Sequence, residues 1–260
     1  MSFRSMRYFT TLAYRGTKYV GWQNQPNQTS VQSTLEDAFS TILNQEIAIT
    51  GCGRTDTGVH AKHYVAHLDI QGTLPENHLF RLNKFLPKDI ALFDLYPVHE
   101  TAHARFDAFS RGYEYHLTPQ KDPFSTDLAF YHNLAKRVDL TALQEAAALL
   151  CDYRAFYPFC KSNTDAKTMI CEIQESRWEQ QEAHLIYHVR ANRFLRGMVR
   201  LIVGMCLNVG LGKLSLETVR TAMEKQERLQ HSWSVPPQGL YLKDIRYPYI
   251  DTSGQYHHPV

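Results

Sequence analysis

Residues Gly53–Ala61 read "GRTDTGVHA". Asp56 sits between two threonines, with Arg54 two residues before it and His60 four after. Three readings compete. As loop chemistry, Asp-Thr-Gly is ordinary, because aspartate caps its own backbone and glycine takes positive φ. As an aspartic protease, the D-T-G needs a second carboxylate sharing one proton. No second D-T-G or D-S-G exists, and "DTSG" at Asp251–Gly254 has the wrong spacing. At 260 residues the chain is too long for a half-length protease protomer, and the residue before the aspartate should be apolar. Nor is "GCGRTDTG" a phosphate loop, since it lacks the third Rossmann glycine and the G-K-[ST] sequence. As a nucleophile, a lone aspartate must stay ionised while partly buried, which requires a nearby permanent cation. Arginine suits that task because it is not deprotonated in the working range.

Arg54 is one such cation, and the stretch "RFLRGMVRLIVGMCLNVG" (Arg193–Gly210) offers more. Its spacing predicts one long helix that is apolar almost all round. Arg193, Arg196 and Arg200 then follow i, i+3, i+7 and fall within an arc of about 60°, at ~100° per residue. Such a stripe either snorkels at a solvated edge or lines a cleft that holds anions.

Outward from these segments the chain mixes strands and helices. Strands are expected at "RYFTTLAYRG" (7–16), "HYVAHLDI" (63–70), "IALFDLYPV" (90–98) and "GYEYHLTP" (112–119), and "IAITGCGRTDTGVHA" (47–61) reads as a short strand running into a glycine-punctuated loop. "EIQESRWEQ" and "AHLIYHVRAN" predict an antiparallel pair, and "PPQGLYLKDIRYP" predicts a loop and a final strand. Helices are expected after the N-cap Ser30, at Glu76–Leu86, at Leu140–Leu150 and at "LSLETVRTAMEKQ". Without strict strand–helix alternation, the fold class is α+β with a largely antiparallel sheet. Two βαβ-like halves recur, residues 1–106 with the aspartate loop and residues 107–260 with the arginine helix.

Composition sets outer limits. The formal net charge is +2, so any nucleic-acid surface must come from local clustering of basic residues. Five cysteines lack CxxC pairing, which reads as reduced, buried thiols. His60, His63 and His67 could suggest a metal, but "HYVAHLDI" alternates like a strand, so no metal site is expected. The opening segment has no apolar core or cleavage pattern, and no stretch reaches the ~20 apolar residues of a membrane span. A cytoplasmic protein is expected. Trp22 in "VGWQNQ" is either a stacking residue or core.

With these motifs in order, the sequence resembles the tRNA pseudouridine synthases of the TruA type. Their signature G-R-T-D-A-G-V-H is matched at Gly53, Arg54, Thr55, Asp56, Gly58, Val59 and His60, with Thr57 where alanine is usual. "YRGTKYVGWQNQPNQTSVQSTLEDAF" is similar to the family's opening Y-D-G-x-x-Y-x-G-W-Q, with Arg15 for aspartate. "ARFDAFSRGYEYHL", "ANRFLRGMVRLIVG" and "PPQGLYL" are similar to its later motifs, apart from Arg193, Arg196 and Gly197. The resemblance implies a pseudouridine synthase fold, a mixed sheet flanked by helices with two pseudo-equivalent halves around a central cleft. It implies Asp56 as nucleophile, Tyr113 as active-site tyrosine, Arg200 as the cation paired with the nucleophile, and Leu240 as pocket wall. By residue type alone, Tyr113 reads as a strand tyrosine packed in the core, and Leu240 as core as well as pocket wall. The resemblance further implies isomerisation of uridine at tRNA positions 38–40 in the anticodon arm, no cofactor, and a homodimer. Candidate RNA contacts are Arg54, Arg193 and Arg196, with Lys18, Lys62, Arg105 and Arg111.

Overall fold

Alternating aromatic and aliphatic side chains in β1 (Ser5–Tyr14) bury Phe9 and Leu12 completely. The computed structural model describes residues 5–161, 166–182, 184–251 and 254–257; Thr252 and Ser253 of "DTSG" lie outside them. α1 (Val31–Leu43) starts where the sequence places it. The Ser30 hydroxyl accepts from the Ser33 N–H at 3.0 Å, and the Ser33 hydroxyl caps Ser30 in return. Val31, Leu35, Ala38 and Phe39 form its buried stripe. β2 (Ile49–Gly51), β3 (His60–Gln71), α2 (His78–Phe85) and β4 (Ile90–Pro97) follow. β1 is flanked by β3 and β4, both antiparallel, and β2 lies antiparallel on β3.

β5 (Ser110–Thr118), β6 (Phe130–Tyr131), α3 (Leu140–Ala148), β7 (Ile173–Gln181), β8 (His184–Ala191), α4 (Met198–Gly210) and α5 (Leu216–Lys225) come next. β8 lies between β5 and β7, antiparallel to both, and the short β6 adds parallel to β5. The Asp139 carboxylate caps α3 by accepting from the N–H groups of Thr141 at 2.9 Å and Ala142 at 3.1 Å. β9 (Leu240–Arg246) closes the series. The architecture is α+β with mostly antiparallel pairing, as the element order implies.

The chain divides into two compact units, Met1–Phe109 with Leu242–Val260, and Ser110–Tyr241. The division falls at Phe109 rather than at residue 106, and the closing segment groups with the first unit. Local pattern does not reveal such a return, because it depends on contacts far apart in sequence.

The long basic helix needs correction. α4 begins at Met198, not Arg193, because Gly197 adopts φ +70° and ends the preceding turn. The apolar pattern runs through the break, as Leu195 and Met198 are both buried. Arg193 and Arg196 therefore lie in a loop ahead of the helix and share no helical stripe with Arg200.

Trp22 is core: it is 3% exposed and stacks on Tyr64 at 4.1 Å. Cys52, Cys160, Cys171 and Cys206 are buried free thiols, and Cys151 is an exposed one. Among the described residues, no helix is long and apolar enough to cross a membrane.

Candidate active site

In the first unit, the loop after β2 is clamped along its length. Gly51 carries no side chain because an added Cβ would lie 2.1 Å from Tyr64 Oη and 2.5 Å from the Trp22 ring. The Cys52 N–H donates to Val65 O at 2.9 Å, and the Tyr64 hydroxyl donates to Gly53 O. Burial holds the Tyr64 phenol well above its ordinary pKa, so it remains a donor. Thr55 Oγ1 bonds the Tyr14 hydroxyl at 2.9 Å, and Thr55 O accepts from the Trp22 N–H at 3.2 Å. The Thr57 hydroxyl donates to Val20 O at 3.1 Å, and the Gly58 N–H donates to Tyr19 O at 3.4 Å.

Asp56 sits at the head of a turn closed by the Val59 N–H on Asp56 O at 3.1 Å, which Gly58 permits at φ +76°. Its residue is half-buried, while Arg54 and Thr57 are exposed. Gly21, at φ +103°, lets the neighbouring chain approach: a Cβ there would lie 2.2 Å from Thr55 O. Behind the loop, the Gly16 N–H donates to His60 Nδ1 at 3.0 Å, so the buried His60 is neutral at that nitrogen.

His60, His63 and His67 all fall on β3. Burial lowers the pKa of His63 and drives that of His67 to about 4, with Arg7 and His103 adding to the second effect. Among the described residues, no group of three or more His, Cys, Asp or Glu side chains is placed to hold a metal ion.

In the second unit, β5 carries Tyr113 opposite Val189 of β8. Its half-buried ring meets Phe194 edge-on at 5.1 Å and 86°. Arg200 lies in the first turn of α4, where its Nε donates to Val235 O at 2.6 Å. The segment it grips runs close to the helix, because Gly204 leaves room: a Cβ there would lie 1.9 Å from Trp233 O. Arg193 is half-buried, Arg196 is exposed, and Arg196 O accepts from the Lys161 N–H at 3.3 Å. Leu240 is buried at the start of β9, with Tyr115 nearby donating its hydroxyl to Pro236 O at 2.8 Å.

Arg54 and Asp56 thus belong to the first unit, and Tyr113, Arg193, Arg196, Arg200 and Leu240 to the second. Of the other basic candidates, Lys18 pairs with Asp89 at 3.7 Å, Lys62 and Arg105 are exposed, and Arg111 donates to Asn192 O at 3.0 Å. Sequence reasoning missed the supports: Tyr14, Tyr64 and Gly21 brace the aspartate loop at Thr55, Gly53 and Thr55–Asp56, and Val235 holds Arg200; Tyr14 and Gly21 lie in the quoted opening motif, but it gave them no such role.

Residues 11–107 and 146–248 match the family model described as tRNA pseudouridine synthase. The chain belongs to that family, isomerases acting on tRNA uridines. It is similar over nearly its whole length to proteins named tRNA pseudouridine synthase A. That of Porphyromonas gingivalis is 47% identical over 247 residues, covering 93% of this chain and 97% of that protein. That of Parabacteroides distasonis is 43% identical over 244 residues, covering 93% and 96%. That of Bacteroides thetaiotaomicron is 43% identical over 246 residues, covering 93% and 91%.

Proposed function

We propose that this chain isomerises uridine to pseudouridine at positions 38–40 of the tRNA anticodon arm, with Asp56 as its nucleophile. The clamp on the aspartate loop carries the reading. Hydrogen bonds from β1, β3 and the segment Tyr19–Trp22 fix the backbone on both sides of a carboxylate that stays half-buried. Such preorganisation is what a nucleophile needs and a simple turn does not.

The reaction breaks the C1′–N1 bond and forms a C1′–C5 bond; C5 loses a proton and N1 gains one. The balance requires no oxidant, reductant or energy source. Asp56 adds to C6 of the ring, or acts at the sugar by attack on C1′ or proton abstraction from the ribose. Every route needs the carboxylate ionised, and Arg200 supplies the permanent cation. Tyr113 stacks on the uracil and assists departure of the C5 proton. Leu240 forms a pocket wall. Arg54 contacts phosphate or fills the gap left by the target nucleotide, which must leave its stack to expose the reacting atoms. Arg193 and Arg196 add phosphate contacts. The enzyme acts in the cytoplasm as a homodimer that takes tRNA across both subunits.

Tritium release from unmodified tRNA labelled at uridine C5 tests the reading, comparing wild type with Asp56→Asn. Release by wild type alone supports it. Equal release by both sinks the role of Asp56, and free uracil would mark a hydrolase instead.

A further inference from the structure

An aromatic column in the first unit runs from its core to solvent. Phe9, fully buried, stacks on His67 at 6.3 Å with the rings inclined by 27°. His67 meets His103 edge-on at 4.6 Å, and His103 lies against Phe106 at 4.2 Å and 35°. Phe106 ends the column with 73% of its surface in water, and the Arg105 guanidinium carbon sits 5.6 Å from its ring centre.

The loop beneath this ring is rigid. The N–H groups of Arg105 and Phe106 both donate to His103 Nδ1, at 3.1 and 3.3 Å. The His103 N–H donates to Asp107 Oδ2 at 2.7 Å, the Asp107 N–H returns to His103 O at 3.1 Å, and the Tyr249 hydroxyl also donates to Asp107 Oδ2 at 2.8 Å. Three residues on, Phe109 is 51% exposed and its N–H donates to the carbonyl of Arg246, itself an exposed cation.

A single surface phenylalanine is unremarkable. A ring packed at 35° against a histidine of that column, with a guanidinium over it, is a different object. It offers a π-face at low entropic cost beside positive charge, which is the chemistry that binds an unpaired base and its phosphate. An apolar protein partner would call for a contiguous apolar patch, whereas the Arg105 guanidinium sits over the Phe106 ring.

We propose that Phe106 and Arg105 form a stacking platform for an unpaired base of RNA, with Arg105 also reaching its phosphate. That the RNA is the tRNA substrate rests on the function proposed above; the platform itself rests on the column.

The test measures binding of an unmodified tRNA transcript by fluorescence anisotropy across a salt series, for wild type, Phe106→Ala, Phe106→Trp and Arg105→Gln. Phe106→Ala is expected to weaken binding about tenfold with an unchanged salt slope, the loss of one base–aromatic stack. Phe106→Trp retains a π-face and is expected to stay within about threefold of wild type. Arg105→Gln is expected to lower the slope by about 1, as one phosphate contact does. In tritium-release assays Phe106→Ala is expected to raise KM and leave kcat within about twofold, because uniform binding is lost. Unchanged affinity in Phe106→Ala overturns the proposal, as does failure of Phe106→Trp to restore binding. A change of oligomeric state in Phe106→Ala also overturns it, assigning the ring to a second copy of the chain. Wild type that binds tRNA in this pattern yet releases no tritium would sink the proposed reaction and still support the platform.

Discussion

Arg200 and Val235 hold each other through a reciprocal pair of bonds: Arg200 Nε–H donates to the Val235 carbonyl at 2.6 Å, and the Val235 N–H donates to the Arg200 carbonyl at 3.3 Å. The first bond fixes the guanidinium through its Nε–H. Lysine keeps the charge but has no Nε–H at that place. Arg200→Lys is therefore expected to lose at least tenfold in kcat. The orphaned carbonyl costs about 1–2 kcal/mol, which lowers Tm by a few degrees. Single-turnover assays and thermal unfolding check this together; full activity in Arg200→Lys would show that charge alone suffices.

Gly21 is a support that acts through backbone. Its φ of +103° suits glycine, and an added Cβ would lie 2.2 Å from Thr55 O and 3.0 Å from the Asp56 carbonyl carbon. Backbone atoms cannot swing away as a side-chain tip can, so the aspartate loop must move. Gly21→Ala is expected to cost about 3 kcal/mol, combining backbone strain with overpacking. Displacement of the loop is expected to reduce kcat about a hundredfold. Urea unfolding and tritium release measure the two effects; a stable, fully active variant would mean that the close approach does not position Asp56.

Thr57 stands where the family signature has alanine, beside the proposed nucleophile. Its hydroxyl donates to Val20 O at 3.1 Å from an exposed position, which makes it a local surface bond. Thr57→Ala is expected to change stability by no more than about 0.5 kcal/mol and kcat by no more than about twofold. A larger fall in kcat would assign the hydroxyl a part in tuning Asp56.

These cases show which parts of the molecule were legible in the sequence. Ser30 as N-cap, the alternation of β1 and the antiparallel β7–β8 pair are local patterns, and local patterns survive folding. The break at Gly197 was hidden because apolar side chains continue on both sides of it, so periodicity alone predicts an unbroken helix. That break removes Arg193 and Arg196 from the helix face that spacing assigned to them. Asp56 was legible from its motif, but its supports were not. Tyr14, Tyr64 and Gly21 meet the loop across 41, 11 and about 34 residues of chain, separations at which sequence spacing carries no geometric information.

His67 gives the fold a pH dependence whose sign follows from its surroundings. The ring is 7% exposed, and Nδ1 accepts the Ala104 N–H at 3.1 Å, so protonation there would set two donors against each other. Burial, then the charges of Arg7 and His103, lower its pKa to about 4, against about 6.5 in an unfolded chain. Between those values the unfolded chain binds more protons than the folded one, so stability rises with pH. The contribution is complete above about pH 6.5 and is lost as pH falls toward about 4, amounting to about 1–2 kcal/mol at pH 5. His63, His103 and His132 are shifted in the same direction by burial, so each adds to the loss of stability on the acid side. His67→Gln retains an acceptor for Ala104 but does not titrate. Urea unfolding at pH 7.5 and pH 5 is expected to show a smaller loss of stability in this variant than in wild type. Equal losses would show that His67 titrates alike in the folded and unfolded chains.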